Sequence, residues 1–417
     1  MAHLPFGSAL FWPMMAAMSA SEATSAFVHQ MARMTAADIA LRPEVPRPDW
    51  ASRNRLTVEL PTLLLRDFSV GDGSGPPTLI CAPYALHGAT VADFAPGHSL
   101  VEVLLAQGRT NLHVVEWRSA TPQMRLFTID TLLADLNVAV DEFGEPVDLI
   151  GLCQGGWMAL LYAARFPSKV RRLVIAGAPI DVAAGDSGLS RLASQTPINM
   201  FAELLKVGDG RLLGQMMLDV WGPAPADEAG VRHELQIEGG KTTPLSPDEA
   251  ALHQRFRDWY DWTVDLPGIY YLEVVQWLYK ENRLAQGTFF ALGHRIDLAE
   301  VKLPLLLLAG ANDKLIAPEQ VLSTANLVGT APEDLETIVA PSSHLGLFMG
   351  RNSLTRVWPD IVAWLDRPEH ASQGEASATS EGPAPDPVAA EPAPGPAAAE
   401  PAPGPAAAEP QAFPADA

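Results

Sequence analysis

A cysteine, an aspartate and a histidine each stand at a turn directly after an apolar run. Cys153 lies in Gly151-Leu152-Cys153-Gln154-Gly155-Gly156, behind VDLI; Asp313 lies in GANDK, behind LPLLLLA; His344 lies in PSSHLG, behind LETIVA. A thiol beside an imidazole that a carboxylate orients can perform nucleophilic acyl transfer. The imidazole takes the thiol proton and later returns it to the leaving group, while the carboxylate fixes the tautomer and stabilises the imidazolium. Each residue alone has a plainer reading: a packed core thiol, a turn-forming Asp, a surface-loop His. Their order along the chain, nucleophile then acid then histidine, makes three such accidents together a poor explanation.

The chemistry requires elements that bring these positions together. Val147 to Leu152 reads as a buried strand and the stretch from Trp157 to Ala164 as a helix, so Cys153 sits at a Gly-flanked strand–turn–helix. That is the context of the nucleophile elbow of α/β-hydrolase folds, with cysteine in place of serine. The glycines let strand and helix pack closely around a strained turn. A helix N-terminus there favours the thiolate and aims free N–H groups at an oxyanion. The expected donors are the N–H of Gln154 and, from the loop after strand Thr78 to Ala82, that of Tyr84 or Ala85, since Pro83 has none. His87 in the same loop is read as a loop histidine, and Cys81 as a small buried hydrophobe.

Further strands are expected at Leu56 to Asp67, Leu112 to Trp117, Lys169 to Gly177, Val301 to Ala309 and Leu335 to Ala340. Helices are expected at Ser99 to Ala106, Thr128 to Phe143 and Val357 to Leu365. The alternation predicts an α/β-hydrolase fold: a mostly parallel sheet with helices on both faces. It breaks between about residues 180 and 297, where a helical cap insertion is expected. Its aromatic residues (Phe256, Trp259, Tyr260, Trp262, Tyr270, Tyr271, Trp277, Tyr279) read mostly as the cap's own core, or else as the lining of an acyl pocket. The catalytic domain is thus placed at 49–367. An apolar segment precedes it at 1–48, with a helix over Ser21 to Leu41 that packs on the domain or contacts a granule, lipid or partner. Residues 368–417, with GPAAAEPAP repeated, have too little apolar surface to order and read as a disordered acidic tail.

With 417 residues, 48% of them hydrophobic, the chain can bury a large core. A net charge of −21 argues against a nucleic-acid partner. Two cysteines, Cys81 and Cys153, give no disulfide framework and suit a reducing cytoplasm. The N-terminus lacks the basic start of a secretory signal, and no apolar run reaches the roughly 20 residues of a membrane span. There is no HExxH, no Cys/His cluster and no phosphate-binding glycine loop, so neither a metal nor a cofactor is expected.

GLCQGG resembles the cysteine-containing lipase-like box of polyhydroxyalkanoate synthases, and the resemblance runs from about Pro77 to Leu365. It takes in Tyr84-Ala85-Leu86, LVEVLLAQG at 100–108, Glu116-Trp117, LYKENRLAQG at 278–287, RIDLAEVKLP at 295–304, the Asp313 turn and SHLGLF at 343–348. The shorter, two-subunit synthases are nearest in size, and the stretch after Tyr84, the Trp157 position and RDWYDWTVDLPG look closer to bacterial α/β-hydrolase relatives of the synthases. The resemblance implies a Cys153–Asp313–His344 triad. It implies a 3-hydroxyacyl-coenzyme A thioester as substrate, a second synthase subunit or granule surface as partner, and a cytoplasmic or granule-associated location. Hydrolysis of polyester oligomers or acyl (thio)esters is the alternative activity, and a non-enzymatic granule-associated role the second alternative.

Overall fold

The computed structural model describes residues 45–221, 233–237 and 244–368, without the side chains of 219–221. The expected helix over Ser21 to Leu41 and the tail from 369 onward lie outside the described residues. The chain divides into two compact units between Arg367 and Pro368, and the sheet with all its helices belongs to the first.

Among the described residues one eight-stranded sheet dominates, built from β1 (Arg55–Glu59), β2 (Leu63–Asp67), β3 (Thr78–Cys81), β4 (Leu112–Trp117), β5 (Val147–Leu152), β6 (Val170–Ala176), β7 (Leu305–Gly310) and β8 (Leu335–Ala340). The spatial order is β1-β2-β4-β3-β5-β6-β7-β8. Pairs β1·β2 and β2·β4 are antiparallel, and all pairs from β4 onward are parallel. This is the α/β-hydrolase fold, and it puts the carboxyl ends of β3, β5, β7 and β8 on one rim. The stretch from Leu56 to Asp67, expected as one strand and its exit, is instead a hairpin turning at 60–62, where Pro61 cannot donate to a ladder. Strand β7 likewise starts only after Pro304.

The central strands are buried on both faces, so their side chains divide between two cores. Leu79, Leu149, Leu173, Ile175, Leu305 and Leu307 pack in one. Ile80, Ile150, Leu152, Val174, Leu306 and Leu308 pack in the other. The first core is covered by α2 (Ile129–Asp141) and α3 (Gln154–Arg165), the second by α1 (Leu100–Ala106) and the final helix Trp358–Leu365. Helix α2 shows why the sequence is legible. Ile129, Leu132, Leu133, Leu136 and Val140 form one buried stripe, and the Thr128 hydroxyl caps it by accepting from the Thr131 N–H.

Between β6 and β7 the chain forms α4 (Gly188–Gln195), α5 (Ile198–Val207), α6 (Gly214–Trp221), α7 (Pro247–Asp261) and α8 (Gly268–Glu273), the last continuing as a π-helix over Val274–Lys280. This insertion packs on the loop after β3, at that rim. The Trp259 ring stacks on His87, the Val264 N–H donates to the Leu86 carbonyl, and the Tyr270 hydroxyl donates to the Tyr84 carbonyl. Trp262 lies against Gly88, where a Cβ would stand 2.7 Å from its ring. Trp259, Tyr270, Tyr271 and Tyr279 are buried, in keeping with the core reading of most of these aromatics.

Candidate active site

Cys153 has φ 49° and ψ −118°, left-handed territory that a side chain enters only when its surroundings force it. Three glycines supply the force. A Cβ on Gly151 would stand 2.5 Å from Gly156 Cα, and one on Gly156 would stand 2.4 Å from Ala178 Cβ. A Cβ on Gly155 would stand 2.1 Å from the carbonyl oxygen of Cys81. The first two allow α3 to lie on its sheet. The third lets the end of β3 rise against the first turn of α3, bringing the loop at Tyr84 beside the elbow. Backbone bonds from Cys153 N–H to the Ala176 carbonyl and from Gly156 N–H to the Cys153 carbonyl hold the turn.

Asp313 lies in the turn after β7 and is buried with its side chain 1% exposed. Its Oδ1 accepts from the N–H groups of Leu315 and Ile316, both at 2.9 Å, and its Oδ2 meets His344 Nδ1 at 2.6 Å. The turn-forming and the imidazole-orienting readings of this residue therefore both hold, one per oxygen. Loops after β7 and β8 are stapled together: Ala311 N–H donates to the Ala340 carbonyl and Asn312 N–H to the Ser342 carbonyl. Gly310 permits this, since a Cβ there would stand 2.7 Å from the Ser342 oxygen.

His344 is buried, with its ring edge-on to Phe348 at 5.5 Å. Burial alone would lower its pKa. The Asp313 carboxylate and the facing Cys153, each by charge and hydrogen bonding, outweigh burial and hold it well above the ordinary imidazole value. His344 Nδ1 is thus hydrogen-bonded to Asp313, with the imidazole near enough to Cys153 to feel it.

The N–H groups of Gln154, Tyr84 and Ala85 find no acceptor among the described residues. Tyr84 itself is fixed: its hydroxyl donates to the Arg118 carbonyl at 2.7 Å, and its ring stacks between Trp117 and Tyr270. His87 packs on Trp259 and Tyr260, and burial lowers its pKa to about 4. Burial raises the Cys81 thiol to about 12, as befits an inert core residue.

Sequence reasoning missed the polar chain flanking the thiol. Trp157 Nε1 donates to Gln154 Oε1 at 2.6 Å, and Gln154 Nε2 donates to the Tyr279 hydroxyl at 2.8 Å. Burial, then the neighbouring Cys153, push the Tyr279 phenol well above its ordinary value, so it remains neutral. Burial, then the neighbouring Tyr84, Cys81, Tyr279 and Cys153, raise Tyr270 well above its ordinary value. Gln154 and Trp157, one helical turn apart, were the available signal. Tyr279 lies on the π-helical stretch, a local irregularity that side-chain pattern does not report.

A family model described as PHB de-polymerase C-terminus matches residues 241–369, the part that contains Asp313 and His344. Curated relatives are poly(3-hydroxyalkanoate) polymerase subunits. The one from Haloferax mediterranei is 27% identical over 75% of this chain and 62% of its own length. That from Allochromatium vinosum is 24% identical over 66% of this chain and 77% of its own, and that from Synechocystis is 27% identical over 66% and 74%. The chain therefore spans less than two thirds of the Haloferax relative. Among solved structures, an epoxide hydrolase of Bacillus megaterium aligns over 76% of this chain and 100% of its own, at 14% identity and a TM-score of 0.49.

Proposed function

We propose that this chain, a polyhydroxyalkanoate synthase-like α/β-hydrolase, uses Cys153 to carry a 3-hydroxyacyl group from coenzyme A to the hydroxyl of a growing polyester. The observation that supports this reading best is the thiol in its left-handed elbow, facing an imidazole that a buried carboxylate orients. The names of the relatives supply the substrate class.

In the first half-reaction the Cys153 thiolate attacks the thioester carbonyl. The tetrahedral oxyanion is met by the N–H of Gln154 and that of Tyr84 or Ala85, each donor worth about 3 kcal/mol in comparable sites. Collapse breaks the bond to coenzyme A, whose sulfur takes the proton from His344. In the second, a hydroxyl gives its proton to His344 and attacks the acyl-cysteine carbonyl, releasing the Cys153 thiolate. No cofactor enters either step. On this reading the partners are a second synthase subunit and the granule surface, in the cytoplasm.

The match to a depolymerase family model favours a second reading, in which water replaces the hydroxyl and the products are free acids. Incubating purified protein with 3-hydroxybutyryl-coenzyme A and measuring released coenzyme A, polymer and free acid separates the two. Polymer with coenzyme A release supports transfer; free acid without polymer supports hydrolysis. No turnover, with Cys153→Ala behaving like the parent protein in granule-forming cells, would leave a granule-associated, non-enzymatic protein.

A further inference from the structure

We propose that Glu234, from the insertion between β6 and β7, is a positioning residue for His344, a role that rests on the reading of His344 as the base for Cys153. The Glu234 Oε1 accepts from the Ser343 N–H at 2.8 Å, and the Ser342 hydroxyl lies 3.4 and 3.5 Å from its two oxygens. Both serines immediately precede His344 in the loop after β8. The Ser342 carbonyl, in turn, receives the Asn312 N–H from the Asp313 turn. Glu234 thus fastens the insertion to the segment that joins the two partner loops of the triad.

The sequence around the histidine is shaped to admit this carboxylate. A Cβ on Gly346 would stand 2.3 Å from Glu234 Cδ and 2.4 Å from either oxygen; one on Gly350 would stand 2.5 Å from the Gly346 carbonyl oxygen and 2.7 Å from Glu234 Oε2. Neither glycine has a positive φ, so room rather than backbone freedom accounts for them: room for the carboxylate at Gly346, and for both the Gly346 carbonyl and the carboxylate at Gly350. Just beyond Glu234 the chain is anchored by Leu235 and Ile237, buried in the same core as Leu347 and Phe348. The SHLGLFMG stretch therefore combines the base with a receptacle for an acceptor from outside the sheet.

Removing that acceptor leaves the Ser343 N–H unpaired beside the histidine and frees the loop to shift. A displacement of the order of 1 Å at a reacting group costs about 100-fold in rate. The consequence is read on the thiol itself, without reference to any acyl substrate. Cys153 in the full chain is alkylated with iodoacetamide across pH 5 to 9, with peptide mass spectrometry separating it from Cys81. In the parent protein the rate at neutral pH should exceed that of His344→Gln, with a pH step set by the raised imidazole.

Glu234→Ala is expected to slow the neutral-pH rate about tenfold and to move that step toward the ordinary imidazole value. Glu234→Gln, which keeps an acceptor for Ser343, is expected to stay within about threefold of the parent. Glu234→Asp, one methylene short of Ser343, guards against an Ala variant that fails to fold and should behave as Ala does. If folded Asp and Ala variants both alkylate like the parent, the proposal is overturned while the Cys153–His344 pairing stands. If the parent and His344→Gln alkylate alike, the pairing itself fails and takes Glu234's role with it.

Discussion

Two carboxylates are buried at opposite rims of the parallel sheet: Asp148 near the amino end of β5 and Asp313 beyond the carboxyl end of β7. Asp148 is ion-paired to Arg109 and Arg171, and Arg109 also donates to Thr78 Oγ1 and pairs with Asp366. Its counter-charges are guanidiniums, which do not change state near neutral pH. Among the described residues Asp313 has no such partner; one oxygen holds its own turn and the other faces an imidazole that can gain or lose its proton. Beyond that imidazole stands a thiol in a strained turn, with N–H groups that find no acceptor among the described residues. One rim offsets its buried charge, at one carboxylate oxygen, with guanidiniums that stay charged, and is structural. The other leaves the chain of contacts open at its end, which is what a reacting site requires.

The largest expected effect is at the open end. Cys153→Ala should lower turnover of the thioester by about 10⁴-fold or more while the melting temperature stays close to the parent's, since only one partly buried sulfur is removed. Next comes Asp313→Asn. The amide oxygen can still accept from Leu315 and Ile316, so the turn persists, but the imidazole loses its anionic partner. Turnover should fall on the order of 10³-fold, with urea stability changing much less. The reverse pattern is expected at the other rim. Asp148→Asn leaves Arg109 and Arg171 facing a neutral group and should cost about 3 kcal/mol in urea unfolding, with turnover per folded molecule unchanged. A variant at Asp148 that lost turnover at full stability would break the comparison.

Gly155 tests how closely the catalytic rim depends on packing. Its Cβ, placed 2.1 Å from the Cys81 carbonyl, forces β3 and α3 apart and moves the Tyr84 loop with them. Gly155→Ala is expected to cost about 1–3 kcal/mol and to depress turnover as well, because stability and donor placement share one contact. Unchanged turnover in the folded variant would show that the Tyr84 loop does not serve the oxyanion.

What could be read from the sequence was whatever local pattern dictates. The boundaries of β4 and β8, the Thr128 cap and the apolar stripe of α2 follow from short-range rules, and the Gly-flanked cysteine announced its turn. The expected single strand from Leu56 to Asp67 failed because two antiparallel strands joined by a tight turn share the apolar signature of one long strand. Only Pro61 marked the break. Gln154's side chain, Tyr279 and Glu234 were not foreseen for another reason. Their contacts cross from the insertion to the rim over long separations, and no periodicity encodes such pairs. Asp313 was legible in type but divided in role, since nothing in AND tells one carboxylate oxygen from the other.

The smallest effect concerns protons, and it also separates the two rims. His344 has a folded-state pKa raised above the unfolded value of about 6.5. A group raised in this way contributes stability that is fully present below the unfolded value and is lost as pH rises through the folded one. Urea midpoints of the parent should therefore decline from about pH 6.5 upward relative to those of His344→Gln, which has no such group to discharge. The arginines around Asp148 contribute no comparable slope, because they stay charged throughout that range. Asp148→Asn should accordingly lower the whole profile while leaving its shape above pH 6.5 intact. If parent and His344→Gln profiles run parallel, the imidazole is not held charged by Asp313 and Cys153, and the open rim is no more titratable than the closed one.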